Sequence, residues 1–209
     1  MDGAGTVGGS HARHHGNRHG RSQAARTAVL EAADDLLVEV GFGGLTIEGI
    51  AARAGVAKQT VYRWWNSKTD VLLECLAIDA AEHFDAVERF TTPAHEDLGS
   101  DLRAHLRQLA VFLTETDAGA VWRALAGQAQ HDSAMAVRFE AEVIAAQRER
   151  DRAPLRRAVD RGALPGSEDI EFAIDQLVGP IYYRVLVTRQ PVPPQFTDTL
   201  VARYLSART

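Results

Sequence analysis

Lys58, Gln59, Thr60, Tyr62 and Arg63 fall within one short stretch, and no acidic residue occurs between Arg53 and Thr69. Ammonium, guanidinium, amide and hydroxyl groups concentrated in this way supply positive charge and hydrogen-bond donors. That is the chemistry that reads phosphates and base edges rather than the chemistry that breaks bonds. Signatures of catalysis are missing elsewhere: there is no Gly-Lys-Ser/Thr phosphate loop, no Gly-x-Ser-x-Gly elbow, no His-Glu-x-x-His and no cysteine pair for zinc. His83 and Asp85 are near in sequence, yet on a helix they diverge by about 200° and do not converge. The expectation is a chain that is not an enzyme, with no cofactor and no resident metal.

The elements that position the basic cluster read as helices throughout. From Ser22 to Phe90 there is no proline, and Ala25, Ala28, Val29, Ala32, Leu36 and Val40 recur at three- and four-residue steps. Gly41 is placed to stop this first helix in a left-handed conformation, and Gly43-Gly44 reads as a loop. Thr46 is the expected N-cap of a second helix, Ile47 to Ala54. Gly55 interrupts, and a third short helix is expected to Trp65. Ser67 with Asp70 predicts a capped start to a long fourth helix reaching about Arg89. Pro93 marks a break. Helical spacing returns over 97–116, 118–129, 133–161, 168–188 and 194–207, with Pro154 and Pro180 expected to break or kink two of these.

The stretch Ile47–Trp65, IEGIAARAGVAKQTVYRWW, accepts the mechanics of a helix-turn-helix position by position. Ala51 is small enough for a close helix crossing, Gly55 supplies the turn, and Ile50, Ala54, Val56 and Val61 lock the angle. Lys58 and Gln59, at the start of the third helix, are assigned to base edges. Arg63 can reach a guanine or a phosphate, and Thr60 and Tyr62 carry hydroxyls for phosphate oxygens. Lys68 adds charge where helix N–H groups already favour anions, and Thr46 caps its helix and touches phosphate. Trp64 and Trp65 diverge by about 100°, so one faces inward. Trp65 is placed inside and Trp64 on the DNA side, with the swap as the alternative.

The chain has 209 residues, 45% hydrophobic and 24% charged, which places it with ordinary globular proteins and not with disordered or fibrous classes. No apolar run approaches the ~20 residues of a membrane helix. The net charge of −5 divides unevenly, +1 over residues 1–70 and −6 over the remainder, so nucleic acid is expected at the N-terminal third. A lone cysteine, Cys75, and a start without an apolar signal core point to a cytoplasmic setting. Residues 1–20, rich in Gly, His and Arg, are expected to be a disordered tail: a DNA-touching arm through Arg13, Arg18 and Arg21, a histidine tract for metal, or a solvated tail with neither role.

The segment from about Ala24 to Leu76, containing GFGGLTIEGIAARAGVAKQTVYRWWNSKTDVLLE, resembles the DNA-binding domain of the tetracycline-repressor (TetR) family of bacterial transcription regulators. It shares the Thr-capped helix, the Ala-Gly-Val turn, the Tyr-x-aromatic-aromatic pattern and the Ser-Lys before a long helix. Trp65, where phenylalanine is usual, and the Gly43-Gly44 pair are departures. The resemblance implies an all-α fold, a homodimer on a palindromic operator, and a C-terminal helical domain whose small-molecule ligand lowers DNA affinity. It places DNA contacts on Thr46, Lys58, Gln59, Thr60, Tyr62, Arg63, Trp64 and Lys68. The implied division is 1–20 tail, 21–68 helix-turn-helix domain and 69–209 effector-binding and dimerisation domain.

Beyond that segment the residues must speak alone. Of the aromatic and polar side chains there, including Phe84, His105, Phe139, Phe172 and Tyr183, the expected pocket walls are Phe112, Trp122 and Tyr182. The acidic balance suits a neutral or cationic ligand. Ile170, Ile174, Leu177, Val178 and Ile181, with Phe196, Leu200, Val201, Tyr204 and Leu205, form apolar faces on the two C-terminal helices; the resemblance makes them the dimer bundle, with intramolecular packing as the alternative. Six arginines between Arg148 and Arg161 read as a solvated face. The reading is a ligand-responsive regulator, a repressor released from its operator by a small molecule; the alternative is a helical ligand-binding protein whose helix-turn-helix no longer binds DNA.

Overall fold

The computed structural model describes residues 16–90 and 97–208, with side chains described for 22–80 and 97–208. Residues 1–15, Pro93 and the side chains of His83, Phe84 and Asp85 lie outside the described residues. Among the described residues every regular element is a helix. In chain order these are α1 (Gly16–Gly44), α2 (Ile47–Arg53), α3 (Lys58–Tyr62), α4 (Lys68–Phe90), α5 (Leu98–Glu115) and α6 (Asp117–Ala129). Then α7 (Ser133–Phe139) passes through a π-helical turn, Glu140–Ile144, into α8 (Ala145–Asp160). Finally α9 (Ile170–Tyr182) continues as π-helical Tyr183–Thr188, and α10 (Pro194–Ser206) closes the fold.

Short polar side chains start these helices by satisfying orphan backbone N–H groups. Thr46 accepts from Gly49 N, Asp97 from Gly99 and Ser100, Thr116 from Gly119, and Asp169 from Phe172. Ser67 and Asp70 form the expected reciprocal pair: Asp70 N donates to Ser67 Oγ at 3.1 Å, and the Asp70 carboxylate accepts from Ser67 Oγ at 2.9 Å and Asn66 N at 3.1 Å. The α5–α6 corner depends on Gly119. A Cβ there would stand 1.9 Å from the Phe112 carbonyl oxygen, so only glycine admits the approach.

One apolar core runs through the molecule, from Val29, Ile50 and Val61 under the N-terminal helices to Leu113, Leu125, Ile181 and Val201. Helix α4 packs on both α1 and α6. A single continuous core means that movement of α4 is felt on both sides.

Several expectations need correction. Residues 16–20, assigned to the tail, belong to α1, and Gly43-Gly44 completes a helical turn beyond Gly41, which takes φ +68° as anticipated. The third helix ends at Tyr62, short of Trp65. Neither proline breaks its helix: α8 runs through Pro154 and α9 through Pro180, and the irregularities are the two π-helical stretches. On α9 and α10, Ile174, Leu177, Val178, Ile181, Val201 and Tyr204 are buried against their own chain. The apolar side chains left outside are instead Phe172, Tyr183, Leu186 and Val187. The arginine run is no freely solvated face, because Arg148 and Arg152 each reach Glu171 at 2.5 Å and so tie α8 to α9.

Candidate nucleic-acid interface and ligand cavity

Helices α2 and α3 meet across Gly55, whose φ of +66° makes the turn. Ile50, Ala51 and Val61 are buried behind them, with Ala54 and Val56 packed at the edge of the core. This leaves the outer face of α3 to solvent: Lys58, Gln59, Tyr62 and Arg63 are exposed, as is Thr46 at the start of α2, while Thr60, Trp64 and Lys68 are half-buried. All eight candidates thus reach the surface between the start of α2 and the start of α4. Trp65 is buried, and its indole N–H donates to Glu74 Oε2 at 2.9 Å; Trp64 lies outside it, under the Arg63 guanidinium at 4.6 Å.

Two lysines are held in ways that their spacing does not reveal. Lys58 Nζ pairs with Glu48, one helix back, and lies 5.5 Å from the Tyr62 ring centroid. The hydrogen bond from Lys58 and the Glu48 backbone lower the Glu48 carboxyl pKa. Lys68 Nζ donates to the carbonyls of Phe42 at 2.6 Å and Leu45 at 2.9 Å, and burial lowers its pKa. Its position fixes the loop that presents Thr46. Glu48 was missed because the helix crossing, not sequence distance, brings it to Lys58.

A cavity of about 200 Å³ lies between α4, α5, α6, α8 and α9. Phe112, Trp122 and Tyr182 all line it, together with Leu76, Leu109 and Val143. Trp122 and Tyr182 stack at 5.1 Å with their planes 3° apart, and Phe139 meets Trp122 edge-on at 5.5 Å. Glu142, Gln147 and Arg150 supply its polar lining. Behind it, Asp151 accepts from Gln147 at 2.9 Å and pairs with His105 at 2.7 Å. A wider groove of about 860 Å³, lined by Leu113, Arg123, Leu186 and Gln190 among others, opens elsewhere on the surface.

Cavity and interface are joined by polar contacts. Glu142, in the π-helical turn, accepts from Arg138 Nε at 3.0 Å, and Arg138 Nη1 reaches Asp70 Oδ1 at 2.5 Å. Asp70 caps the first turn of α4, two residues from Lys68. Deeper in the α1–α4 junction, the Asp34 carboxyl is pushed up to about 7, first by burial and then by the charge of Asp79. Its Oδ1 is buried without a hydrogen-bond partner.

Comparison with known proteins agrees with this architecture. Residues 29–75 match the family described as bacterial regulatory proteins, tetR family, and residues 92–204 match that described as tetracyclin repressor-like, C-terminal domain. An HTH-type transcriptional regulator of Bacillus subtilis (strain 168), YdeS, is 33% identical over 181 residues, covering 87% of this chain and 88% of its own. The crystal structure of the TetR family transcription regulator SCO0332 is 32% identical with a TM-score of 0.67, over 87% of this chain and 97% of that one. A structure from Mesorhizobium loti shares the fold at 21% identity, with a TM-score of 0.69 over 90% and 98% of the two chains.

Proposed function

Because this chain belongs to the tetracycline-repressor (TetR) family of DNA-binding transcriptional regulators, we propose that it is a repressor that leaves a palindromic operator when a small molecule binds. Members of the family bind DNA and small-molecule effectors and form dimers. In this reading residues 21–68 hold the DNA and 69–209 hold the effector and the second subunit, in the cytoplasm. Two copies of α3 enter successive major grooves, about 34–36 Å apart.

The observation that carries the reading is the exposed face of α3 and the α2 start, braced by a buried apolar seam and free to meet a duplex. Gln59 and Lys58 read base edges, Lys58 by exchanging Glu48 for a base. Arg63 reaches guanine or phosphate, and Thr46, Thr60, Tyr62, Trp64 and Lys68 hold phosphates. Lys68 uses two of its ammonium N–H groups on carbonyls and retains one for phosphate. The dimer forms through the two C-terminal helices, where Phe172 on α9 and Tyr183, Leu186 and Val187 on its π-helical continuation stand exposed.

The effector occupies the cavity walled by Phe112, Trp122 and Tyr182, and acts through Glu142, Arg138 and Asp70. A differential affinity worth roughly 1–3 kcal/mol between two positions of α4 gives a 5- to 150-fold response. Selection from random duplexes followed by salt titration tests the reading. A two-fold symmetric site with steep salt dependence is expected; enrichment of no sequence by the folded dimer sinks it.

A further inference from the structure

We propose that the cavity between α4, α5, α6, α8 and α9 takes a small, uncharged, planar aromatic molecule that offers one hydrogen-bond acceptor to the Tyr182 hydroxyl. This deepens the effector reading above and rests on it only for the regulatory consequence.

Size and shape come first. At about 200 Å³ the cavity is smaller than the roughly 300–1,000 Å³ of drug-sized sites, which suits a bicyclic ring system. Its walls are flat and apolar: Trp122 and Tyr182 lie parallel, and Phe112 and Leu109 are buried beside them. Stacked and edge-on aromatic contacts add to the burial of a flat guest.

Charge comes next. The carboxylate in the lining, Glu142, already holds Arg138, which Asp70 grips from the other side. A cationic guest must therefore break an ion-pair chain. An anionic guest would face Glu142 and, behind the wall, Asp151, while Arg150, the cation of the lining, donates to Gln147. Gln147 is occupied at both ends, donating to Asp151 at 2.9 Å and accepting from Arg150 at 3.5 Å. The carboxylates at the cavity are thus held in internal pairs, and an uncharged guest is the one that costs no desolvated charge.

One polar group remains. Tyr182 makes no hydrogen bond among the described residues, although its ring is held against Trp122 and it lines the cavity. Burial above all, then the charge of Asp151, raises its pKa, so the phenol keeps its proton and donates. A half-buried hydroxyl at the cavity wall, with no partner among the described residues, favours a guest that supplies an acceptor.

The test is calorimetric titration of the full-length protein with four bicyclic probes: coumarin, which is neutral with a carbonyl acceptor; naphthalene, neutral without one; 1-methylquinolinium; and 2-naphthoate. Coumarin is expected to bind tightest. Tyr182→Phe should weaken coumarin roughly 2- to 10-fold and leave naphthalene unchanged, a contrast that a merely structural role would not produce. Ala80→Leu, which fills the cavity, should abolish both. Tighter binding of either charged probe overturns the proposal, as does equal loss of coumarin and naphthalene in Tyr182→Phe, or no binding of the neutral probes. Operator release is read separately. Coumarin binding without release keeps the ligand class and removes the regulatory role; release by a charged probe keeps the regulatory role and removes the ligand class.

Discussion

Arg138 and Asp70 stand 68 positions apart in the chain, yet their side chains meet at 2.5 Å. The contact joins α7, at the edge of the cavity, to the first turn of α4, which follows α3 after a five-residue connection. Burial alone would raise the Asp70 carboxyl, but hydrogen bonds from Arg138 and Ser67 outweigh it and hold the group below its usual range. Asp70 therefore stays charged and serves two masters, the arginine and its own helix cap.

That double duty predicts coupling. Arg138→Ala is expected to leave operator selection intact while reducing the effector response, and Asp70→Asn to do the same with some loss of stability from the weakened cap. In a double-mutant cycle read on effector-induced release, the pair should couple by about 0.5–2 kcal/mol. Additive effects would mean that α4 is moved by packing alone.

Lys58 and Glu48 make a second prediction. Glu48 must be displaced before Lys58 can reach a base, so Glu48→Gln should tighten operator binding and steepen its salt dependence. Lys58→Ala and Gln59→Ala should each relax preference at one position of the half-site, by about 1–3 kcal/mol per base pair. Comparison of selected-site profiles for the variants checks this. Uniform weakening by Lys58→Ala across all sequences would place Lys58 on phosphate.

Lys68 holds the carbonyls of Phe42 and Leu45, which lie just before Thr46. Removing the ammonium leaves both acceptors without that donor and loosens the loop. Lys68→Ala is expected to lower the melting temperature, to weaken binding to every sequence, and to reduce the salt slope by about one. A change in sequence preference alone would disprove the phosphate role, which salt titration on two unrelated duplexes reveals.

What could be read in advance follows a physical line. Thr46, Gly55 and the inward Trp65 were legible because caps, positive φ and 3.6-residue periodicity are local properties of a chain. The grouping of Phe112, Trp122 and Tyr182 about one cavity follows from helices of anticipated extent packing as a bundle. Lys58 with Glu48, Lys68 with the loop carbonyls and Arg138 with Asp70 were not legible, since each depends on how two elements cross. The same holds for Ile174 and Ile181, whose apolar face was expected to meet a second copy of the chain. Tertiary packing decided for the core and left Phe172 and Tyr183 outside.

At the α5–α6 corner, Gly119→Ala puts a methyl carbon onto the Phe112 carbonyl oxygen, a backbone atom that cannot rotate aside. The expected cost is about 1–3 kcal/mol or more, because α6 must retreat and draw Trp122 off the cavity. Gly127→Ala, in the same helix with open space around its Cβ position, should be neutral or stabilising. Equal melting temperatures for the two variants would show that the corner yields without strain.

The carboxyl of Asp34 makes stability depend on pH in a definite direction. Its pKa rises from 3.8 to about 7 on folding, by burial first and the charge of Asp79 next, with Asp117 adding and the Cys75 thiol opposing. Between those values the folded chain holds a proton that the unfolded chain has released. Stability therefore falls as pH rises from about 4 to 7 and is level above, since ionising Asp34 inside the α1–α4 junction is unfavourable. Carboxylates with lowered values, such as Asp70 and Glu171, act at lower pH and do not share this window. Asp34→Asn cannot ionise, so its melting temperature should gain on the parent's between pH 5 and 8, each kcal/mol appearing as roughly 2–4 °C. Because α1 and α4 flank the helix-turn-helix, operator affinity of the parent should weaken over the same range relative to Asp34→Asn. A difference between the two proteins that stays constant from pH 5 to 8 would place the titrating proton elsewhere.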